Sequence, residues 1–374
     1  MFLIQIDAYT LFSAKMGSQV LVPFRGSEDA HRHLKLMGDL GQNSVLLTLI
    51  LQIVPMKYNP RDENSIKDVM AKANVVINLG REYETRNYSS EEVNQYMAEQ
   101  LAVIAKEHGG IMRFIQVSCF GASSSSPSRM LRAKAAAEEA IMREIPEKKA
   151  TILRPAVMIG TEDRILNRWA QFAKNYGFLP LIGDGSTKKL QLCPNLVDIF
   201  LKGLYCRIQP VYVVDVASAI VTALNDDCTS MGKVFELGGP EVFTVHELVR
   251  DKSILTSDAA IAMPREMFLN KVPFPLPTPT ILNLDEMNAL TQDTVVSPDA
   301  LTFDDLSIMP HKLKGYPVKS FLSNTVRVGH NMARLSAKSY LQLHGHQSHR
   351  FFNFERVFPI LTPSNVSLNF IIQK

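Results

Sequence analysis

The sequence lacks a long hydrophobic run, which every membrane-spanning helix requires. No stretch of about 18 or more apolar residues occurs, so a spanning helix is not predicted. The longest apolar run, residues 45–56, is interrupted by Thr48 and Pro55. Residues 1–15 contain no arginine and include Asp7. Neither a basic signal-peptide region nor an Arg-rich, acid-poor leader is recognisable there, so these residues do not indicate a cellular compartment.

Excess charge and clustered cysteines are absent as well. The formal net charge is only +3, which is too small to indicate a nucleic-acid partner. The four cysteines show no CxxC spacing, so neither a zinc site nor a disulfide framework is predicted, and a reducing compartment is favoured. His344, His346 and His349 have no acidic or cysteine residue beside them. We therefore predict no metal site.

Strand patterns alternate with amphipathic helix patterns through most of the chain. Short apolar runs predict strands at residues 20–24, 75–79, 113–118 and 151–154, and apolar residues at helical spacing predict a helix over residues 91–107. Gly109 and Gly110 mark the end of that helix. Hydrophobic residues make up 46% of the sequence and charged residues 21%, a balance that excludes wholesale disorder. We predict an α/β fold with a doubly wound, Rossmann-like parallel sheet.

Changes in composition divide the chain. Residues 1–250 form the predicted α/β domain, residues 251–317 form a proline-rich C-terminal arm, and residues 318–374 form a basic tail to which we assign no fold. Two blocks, residues 43–52 and 189–207, interrupt the pattern of the first domain. The apolar block 43–52 is expected either to lengthen the approach to the third strand or to hang as a flap.

Ligand-type residues follow three of the predicted strands. Arg25, Gly80 and Ser118 each come just after a strand. In a doubly wound sheet, ligands bind at the carboxyl ends of the strands. Three such residues in succession therefore indicate a binding edge rather than a coincidence.

Helix starts can also be placed from the sequence. After Ser118 we predict a helix with Ser126 as its N-cap and Pro127 in its first position. That helix carries Met130 and Lys134 one turn apart on one face. A shorter helix is predicted with Asn64 as its N-cap.

The sequence resembles an atypical, extended short-chain dehydrogenase/reductase (SDR). Within that superfamily it is similar to the nucleotide-binding accessory subunits of mitochondrial respiratory complex I, in their plant form. The resemblance runs in unbroken order through well over half of the chain. The matching segments are VLVPFRG (20–26), YNPRDENSI (58–66), VVINLGREYETRNYS (75–89), RFIQVSC (113–119), RAKAAAEEA (132–140), TILRPAVMIGTEDRILNRW (151–169), QPVYVVDVASAI (209–220), KVPFPLPTP (271–279) and ALTFDDL (300–306).

The resemblance implies a non-catalytic protein that binds NADPH as a structural cofactor. Its implied partners are other complex I subunits near the junction of the peripheral and membrane arms, with lipid or quinone nearby and no nucleic acid. Its implied location is the matrix side of the mitochondrial inner membrane. Two alternatives are an active NAD(P)H-dependent reductase or epimerase, and an isoform that binds no nucleotide.

The resemblance also implies roles for residues at the strand ends. Arg25 matches the position that selects NADPH through its 2′-phosphate, and Asp62 matches one that contacts adenine. The other implied cofactor contacts are Asn78, Leu79 and Gly80 along the adenine ribose, Ser118 after its strand, Lys134 at the nicotinamide ribose, and the backbone of Arg154 and Pro155 beside the nicotinamide. Simpler interpretations are a solvated Arg25, a helix-start Asp62 and a helix-surface Lys134.

Two departures from the family pattern limit the expected chemistry. SDR catalysis uses Tyr and Lys spaced as YxxxK, and here the tyrosine position is Met130, whose thioether cannot exchange a proton with a substrate. The residues before Lys15 contain no glycine. The GxxGxxG turn that lets a helix N-terminus approach the pyrophosphate is therefore not found. We expect no SDR turnover and weakened NADPH binding.

Overall fold

The structure is a computed structural model that describes only part of the chain. The described residues are 19–24, 53–80, 89–145, 149–160, 207–225, 229–244 and 293–313, with residues 247, 285 and 289 and the backbone of 179–182, 260–263 and 369–373. The predicted flap at residues 43–52 lies outside them, as do residues 189–206 of the second interrupting block.

Short strands and four α-helices make up the described elements. The strands are β1 Gln19–Phe24, β2 Ile53–Lys57, β3 Val75–Asn78, β4 Arg113–Val117, β5 Ala150–Pro155, β6 Met158–Ile159, β7 Leu179–Ile182, β8 Arg207–Ile208, β9 Val211–Tyr212, β10 Val234–Leu237, β11 Phe243–Thr244, β12 Ala260–Met263 and β13 Asn369–Gln373. The helices are α1 Glu63–Met70, α2 Met97–His108, α3 Arg129–Glu144 and α4 Val213–Asn225, with a π-turn at Glu92–Tyr96 and a 3-10 turn at Asp304–Leu306. Within the described residues, no helix is both long and apolar enough to cross a membrane.

Seven strands form one parallel sheet in the order β10-β5-β4-β3-β13-β1-β2. The predicted doubly wound parallel sheet is confirmed, and all four strands predicted from apolar runs belong to it. The C-terminal tail, to which the sequence analysis assigned no fold, supplies β13. This strand lies between β1 and β3 and pairs with both of them.

Two apolar clusters cover the two faces of the sheet. Along β1, Val20 and Val22 belong to one cluster, whereas Leu21 belongs to the other, as the period of two along a strand requires. The first cluster includes residues of α4 and of the 3-10 turn. The second includes residues of α1, α2 and α3. Helices therefore shield both faces, which is the layering that a buried parallel sheet needs.

Two helix starts differ from the prediction by two residues. The N-cap of α3 is Ser128, whose Oγ accepts a hydrogen bond from the Leu131 backbone N–H at 3.4 Å. The predicted cap, Ser126, instead accepts a hydrogen bond from the Ser128 N–H at 3.3 Å and so shapes the turn before the helix. Both serines satisfy the local capping preference, so the sequence alone does not choose between them.

The N-cap of the short helix α1 is Asp62, not Asn64. The Asp62 backbone is extended, and its Oδ1 accepts a hydrogen bond from the Asn64 N–H at 3.1 Å. This contact is the one expected of a helix-start residue. A role for Asp62 towards adenine stays a prediction. The end of α2 agrees with the sequence analysis, since Gly109 follows it with a φ of 68°.

Part of the proline-rich arm packs against the sheet domain. Phe303 and Leu306 are buried in the cluster that covers α4. The segment is then held by His311, whose backbone N–H donates to Asp215 Oδ2 at 2.8 Å and whose Nδ1 lies 2.6 Å from Asp215 Oδ1. Asp215 is buried at the start of α4. The hydrogen bond to this carboxylate raises the pKa of His311.

This pair predicts a pH-dependent stability. Because the pKa of His311 is higher in the folded protein, its contribution is complete below the unfolded value of about 6.5 and is lost as the pH rises through the folded value. We expect the melting temperature to fall as the pH rises from about 6.5 through the folded-state pKa of His311. His311→Gln should flatten this part of the pH profile, while His108→Gln, at an exposed histidine, should leave it unchanged. Equal slopes for the wild type and His311→Gln would contradict the assignment.

Candidate functional site

The predicted site residues gather at the carboxyl ends of three adjacent strands. Asn78 ends β3, Ser118 follows β4, and Pro155 ends β5. These strands are neighbours in the sheet, and parallel strands end at one edge. The structure thus brings the predicted residues of three separate segments together. Arg25, which was predicted to select NADPH, lies outside the described residues, and its role stays a prediction.

Lys134 and Ser118 join α3 to the end of β4. The Lys134 Nζ donates a hydrogen bond to the Ser118 carbonyl oxygen at 3.4 Å, and Lys134 is only 4% exposed. Lys134 is therefore not the helix-surface cation of the simpler interpretation. The Ser118 Oγ is buried too, and no group among the described residues hydrogen-bonds it. Among the described residues, the ammonium makes one long hydrogen bond and the hydroxyl makes none, which leaves donors and acceptors for a further polar group.

The turn after β3 is fixed by a buried amide pair. The Asn78 Nδ2 donates to Gln116 Oε1 at 2.8 Å, and the Asn78 Oδ1 accepts from the Gly80 N–H at 3.0 Å. Both side chains are buried. Leu79 points into the apolar core at 3% exposure. Any contact between this turn and a nucleotide would consequently involve backbone atoms, as the resemblance implies.

Gly80 is required by both conformation and space. Its φ is 63°, and a Cβ at this position would lie 2.9 Å from the Val117 carbonyl oxygen. Gly109 has a similar φ of 68°, but a Cβ there would meet nothing within 4 Å. Alanine at Gly109 would therefore cause backbone strain alone, whereas alanine at Gly80 would cause the same strain and a steric clash.

We expect Gly80→Ala to destabilise the protein more than Gly109→Ala does. Gly109→Ala should cost roughly 1 kcal/mol, the cost of a left-handed alanine. Gly80→Ala should cost about 1–2 kcal/mol more, because the turn must also move away from the β4 carbonyl. Urea unfolding of the two variants gives the comparison. Equal losses of unfolding free energy would show that the turn after β3 can move away from the Val117 carbonyl at no cost, which would contradict the prediction.

Met130 occupies the tyrosine position of the SDR pattern, in the first turn of α3. Its backbone N–H donates to Asp285 Oδ2 at 3.0 Å, and the same carboxylate accepts from the Arg129 N–H at 2.6 Å and from Ser128 Oγ at 2.9 Å. Asp285 thus places a negative charge on the positive end of the helix. The sequence analysis missed this residue because the partners lie 155 positions apart, and no local pattern marks such a contact.

Arg154 ties β5 to α3 through its guanidinium. Its Nη2 lies 2.6 Å from Glu138 Oε2, and its Nε donates to the same oxygen at 3.1 Å. Glu236 on β10 lies 3.7 Å from the Nη1. The hydrogen bond to Glu138 raises the pKa of Arg154. The Arg154 side chain is committed to this network, so the implied nicotinamide contact would come from the backbone.

A separate cleft of about 660 Å³ is lined by residues of α3, the loop at 122–124, β5 and β10, together with Glu91 and Gln95. Of the predicted site residues that the structure describes, Arg154 alone lines it. Side chains of both charges surround it, including Arg132 and Glu139, so its charge favours no single ligand class. Within the described part of the chain, no group of three His, Cys, Asp or Glu residues could hold a metal ion. The three tail histidines lie outside that part.

The strand order and the polar residues at the carboxyl ends of β3, β4 and β5, here called the polar edge, define a Rossmann-type, doubly wound α/β fold. Citrobacter sp. triphenylmethane reductase, solved as a complex with NADP(H), is similar in fold, with a TM-score of 0.57. The two sequences are 14% identical, and the match covers 83% of this chain and 95% of the reductase. At that identity the likeness shows the fold alone. No protein-family model matches the chain.

Curated relatives identify the family. The chain is 63% identical over 319 residues to NADH dehydrogenase [ubiquinone] 1 alpha subcomplex subunit 9, mitochondrial, of Arabidopsis thaliana, covering 82% of this chain and 72% of the relative. It is 34% identical over 306 residues to the Mus musculus protein of the same name, covering 80% and 72%. The chain belongs to the family of mitochondrial NADH dehydrogenase (ubiquinone) alpha subcomplex subunit 9, which confirms the resemblance found in the sequence.

Proposed function

We propose that this chain is a non-catalytic accessory subunit of mitochondrial NADH:ubiquinone oxidoreductase, complex I. The observation that carries the proposal is its 63% identity over 319 residues with the Arabidopsis thaliana subunit. Its partners are then other complex I subunits, and its location is the mitochondrion. More finely, we place it on the matrix side of the inner membrane, near the junction of the two arms and close to lipid or quinone.

The non-catalytic assignment rests on the first turn of α3. General acid–base catalysis contributes about 10²–10⁴ in rate and needs a group that exchanges a proton near the operating pH. Met130 holds that position and cannot do so. Its N–H is also engaged by Asp285. The alternative of an active reductase or epimerase would need a proton donor from elsewhere in the chain.

The nicotinamide end of a nucleotide site fits the residues present. The buried Lys134 Nζ and the Ser118 Oγ, which no described group hydrogen-bonds, offer a donor and a hydroxyl to a ribose diol. The Asn78–Gly80 turn offers backbone groups at the neighbouring strand end. When bound, the nucleotide would supply hydrogen bonds and packing rather than hydride transfer. We therefore propose a structural NADPH-type site formed by the ends of β3 and β4 and by α3.

The pyrophosphate end fits poorly. In a doubly wound sheet, the glycine turn follows the central first strand. In this sheet the central position between β1 and β3 belongs to β13, whose sequence NFIIQ contains no glycine. Without that turn, Arg25 is the remaining predicted anion contact. A single arginine–phosphate pair that solvent screens contributes only roughly 0–1 kcal/mol, so we propose that NADPH binding in this isoform is weak.

Lys134→Met tests the nucleotide site separately from the fold. Methionine is similar in length and apolar, so replacing a buried, poorly paired ammonium should leave the melting temperature unchanged or raise it. Loss of a charged hydrogen bond should weaken NADPH binding about 10-fold or more. Ligand-observed NMR at millimolar NADPH measures this effect. The control is Lys106→Met, at a lysine whose Nζ lies 3.3 Å from Glu144 on the helix exterior. Equal NADPH affinity in both variants would place the nucleotide elsewhere.

Assembly tests the proposed function itself. The tagged full chain, expressed in Arabidopsis thaliana cells depleted of their own subunit 9, should migrate with complex I on blue-native gels. The purified chain should not oxidise NADPH in the presence of quinones or carbonyl compounds. Migration only as free protein would overturn the subunit assignment. Turnover that Lys134→Met abolishes would favour the reductase alternative.

A further inference from the structure

The centre of the sheet is formed by the end of the chain. β13 pairs in parallel with β1 on one side and with β3 on the other. The aligned positions are Gln19, Val20 and Leu21 of β1 with Asn369, Phe370 and Ile371, and Phe370, Ile371, Ile372 and Gln373 with Val75, Val76, Ile77 and Asn78 of β3. Two independent ladders therefore fix the same register for β13.

The position of β13 is the one that the fold reserves for its first strand. In the doubly wound order 3-2-1-4-5-6, the first strand lies between the second and the fourth. Removing β13 from the observed order leaves β2-β1 on one side and β3-β4-β5-β10 on the other. In this order β1 and β2 match the second and third strands, and β3, β4 and β5 match the fourth to sixth, with β10 added at the edge. The gap between the two groups is the first-strand position.

The strands on both sides of this gap cannot remain unpaired at low cost. Every residue of β1 except the first is buried, and all four residues of β3 are buried. A buried backbone N–H or C=O without a partner costs about 1–3 kcal/mol. Water cannot replace the partner there, because helices cover both faces of the sheet. The gap needs one strand, since flanking strands lie two spacings of ~4.8 Å apart.

The tail segment has the sequence that such a position favours. Phe370, Ile371 and Ile372 form an aromatic and β-branched run, which suits a strand with both faces covered. Their register positions lie opposite members of both apolar clusters, Val20 and Val75 in one and Leu21 and Val76 in the other. The polar residues Asn369 and Gln373 are the first and last residues of β13, so the apolar run lies wholly inside the paired strand.

We propose that the gap between β1 and β3 is a strand-accepting slot and that its ligand is this chain's own segment 369–373. The segment takes the structural place of the first strand. The two halves of the sheet are then joined only when the tail is docked. Stability of the α/β domain consequently depends on residues far outside residues 1–250.

Proline substitution tests the docking. Ile371→Pro removes a backbone donor in the middle of a central strand, where proline is not tolerated. We expect the melting temperature to fall by about 10 °C or more and hydrogen exchange in β1 and β3 to accelerate at least 10-fold, while α2 and α3 keep more of their protection. The matched control is Ser364→Pro, in the same tail but outside β13, and should change neither. Equal behaviour of the two variants would overturn the proposal.

A cross-link identifies the occupant even if Ile371→Pro fails to fold. Gln19 and Asn369 are register partners, and adjacent strands hold Cα atoms within disulfide range, about 4.4–6.8 Å. In the full chain with Cys119, Cys193, Cys206 and Cys228 replaced by serine, Gln19→Cys with Asn369→Cys should form an intrachain disulfide. Gln19→Cys with Asn365→Cys is the control and should not. A disulfide-linked dimer would assign the slot to a second copy, and no cross-link would show that the tail is elsewhere. Either result would overturn the proposal.

Discussion

A continuous backbone ladder across the sheet is the constraint on which the other features depend. Parallel strands that are buried on both faces have no access to water, so each interior strand needs hydrogen-bond partners on both sides. The interior strands β5, β4, β3 and β1 all meet this requirement only because β13 lies between β1 and β3. The apolar clusters, the helices on both faces and the polar edge are all arranged on that ladder. The hydrogen bonds of the ladder join backbone groups, so they do not specify which part of the chain supplies the central strand.

The polar edge is held by a few buried contacts that connect neighbouring elements. Asn78 and Gln116 join the ends of β3 and β4, and Arg154 with Glu138 joins β5 to α3. These contacts lie on one half of the sheet and do not involve β13 or β1. The geometry around Ser118 and Lys134 is therefore set by β4, α3 and their packing. It can persist whether or not a phosphate-binding turn exists at the centre of the sheet.

The parts predicted correctly from sequence are those that local pattern determines. Apolar runs gave β1, β3, β4 and β5, and a glycine marked the end of α2. The start of α3 was misplaced because Ser126 and Ser128 both satisfy the capping rule, and packing decides between them. Asp285 and β13 could not be predicted, since each contacts residues far away in the sequence. A tail of mixed composition gives no local sign of which distant edge it will pair with.

The fold and nucleotide binding depend on different features of this sheet. A chain can therefore keep the fold while its nucleotide binding is weakened. The fold needs a strand at the centre of the sheet, whereas the pyrophosphate needs the glycine turn that ordinarily follows that strand. A glycine-free strand such as NFIIQ meets the first need and not the second. The nicotinamide end that we propose, formed by Ser118 and Lys134, belongs to β4, α3 and the loop between them and does not depend on that turn. Closing the ladder is a requirement of the fold and the glycine turn is a requirement of the pyrophosphate, so a change in one need not remove the other.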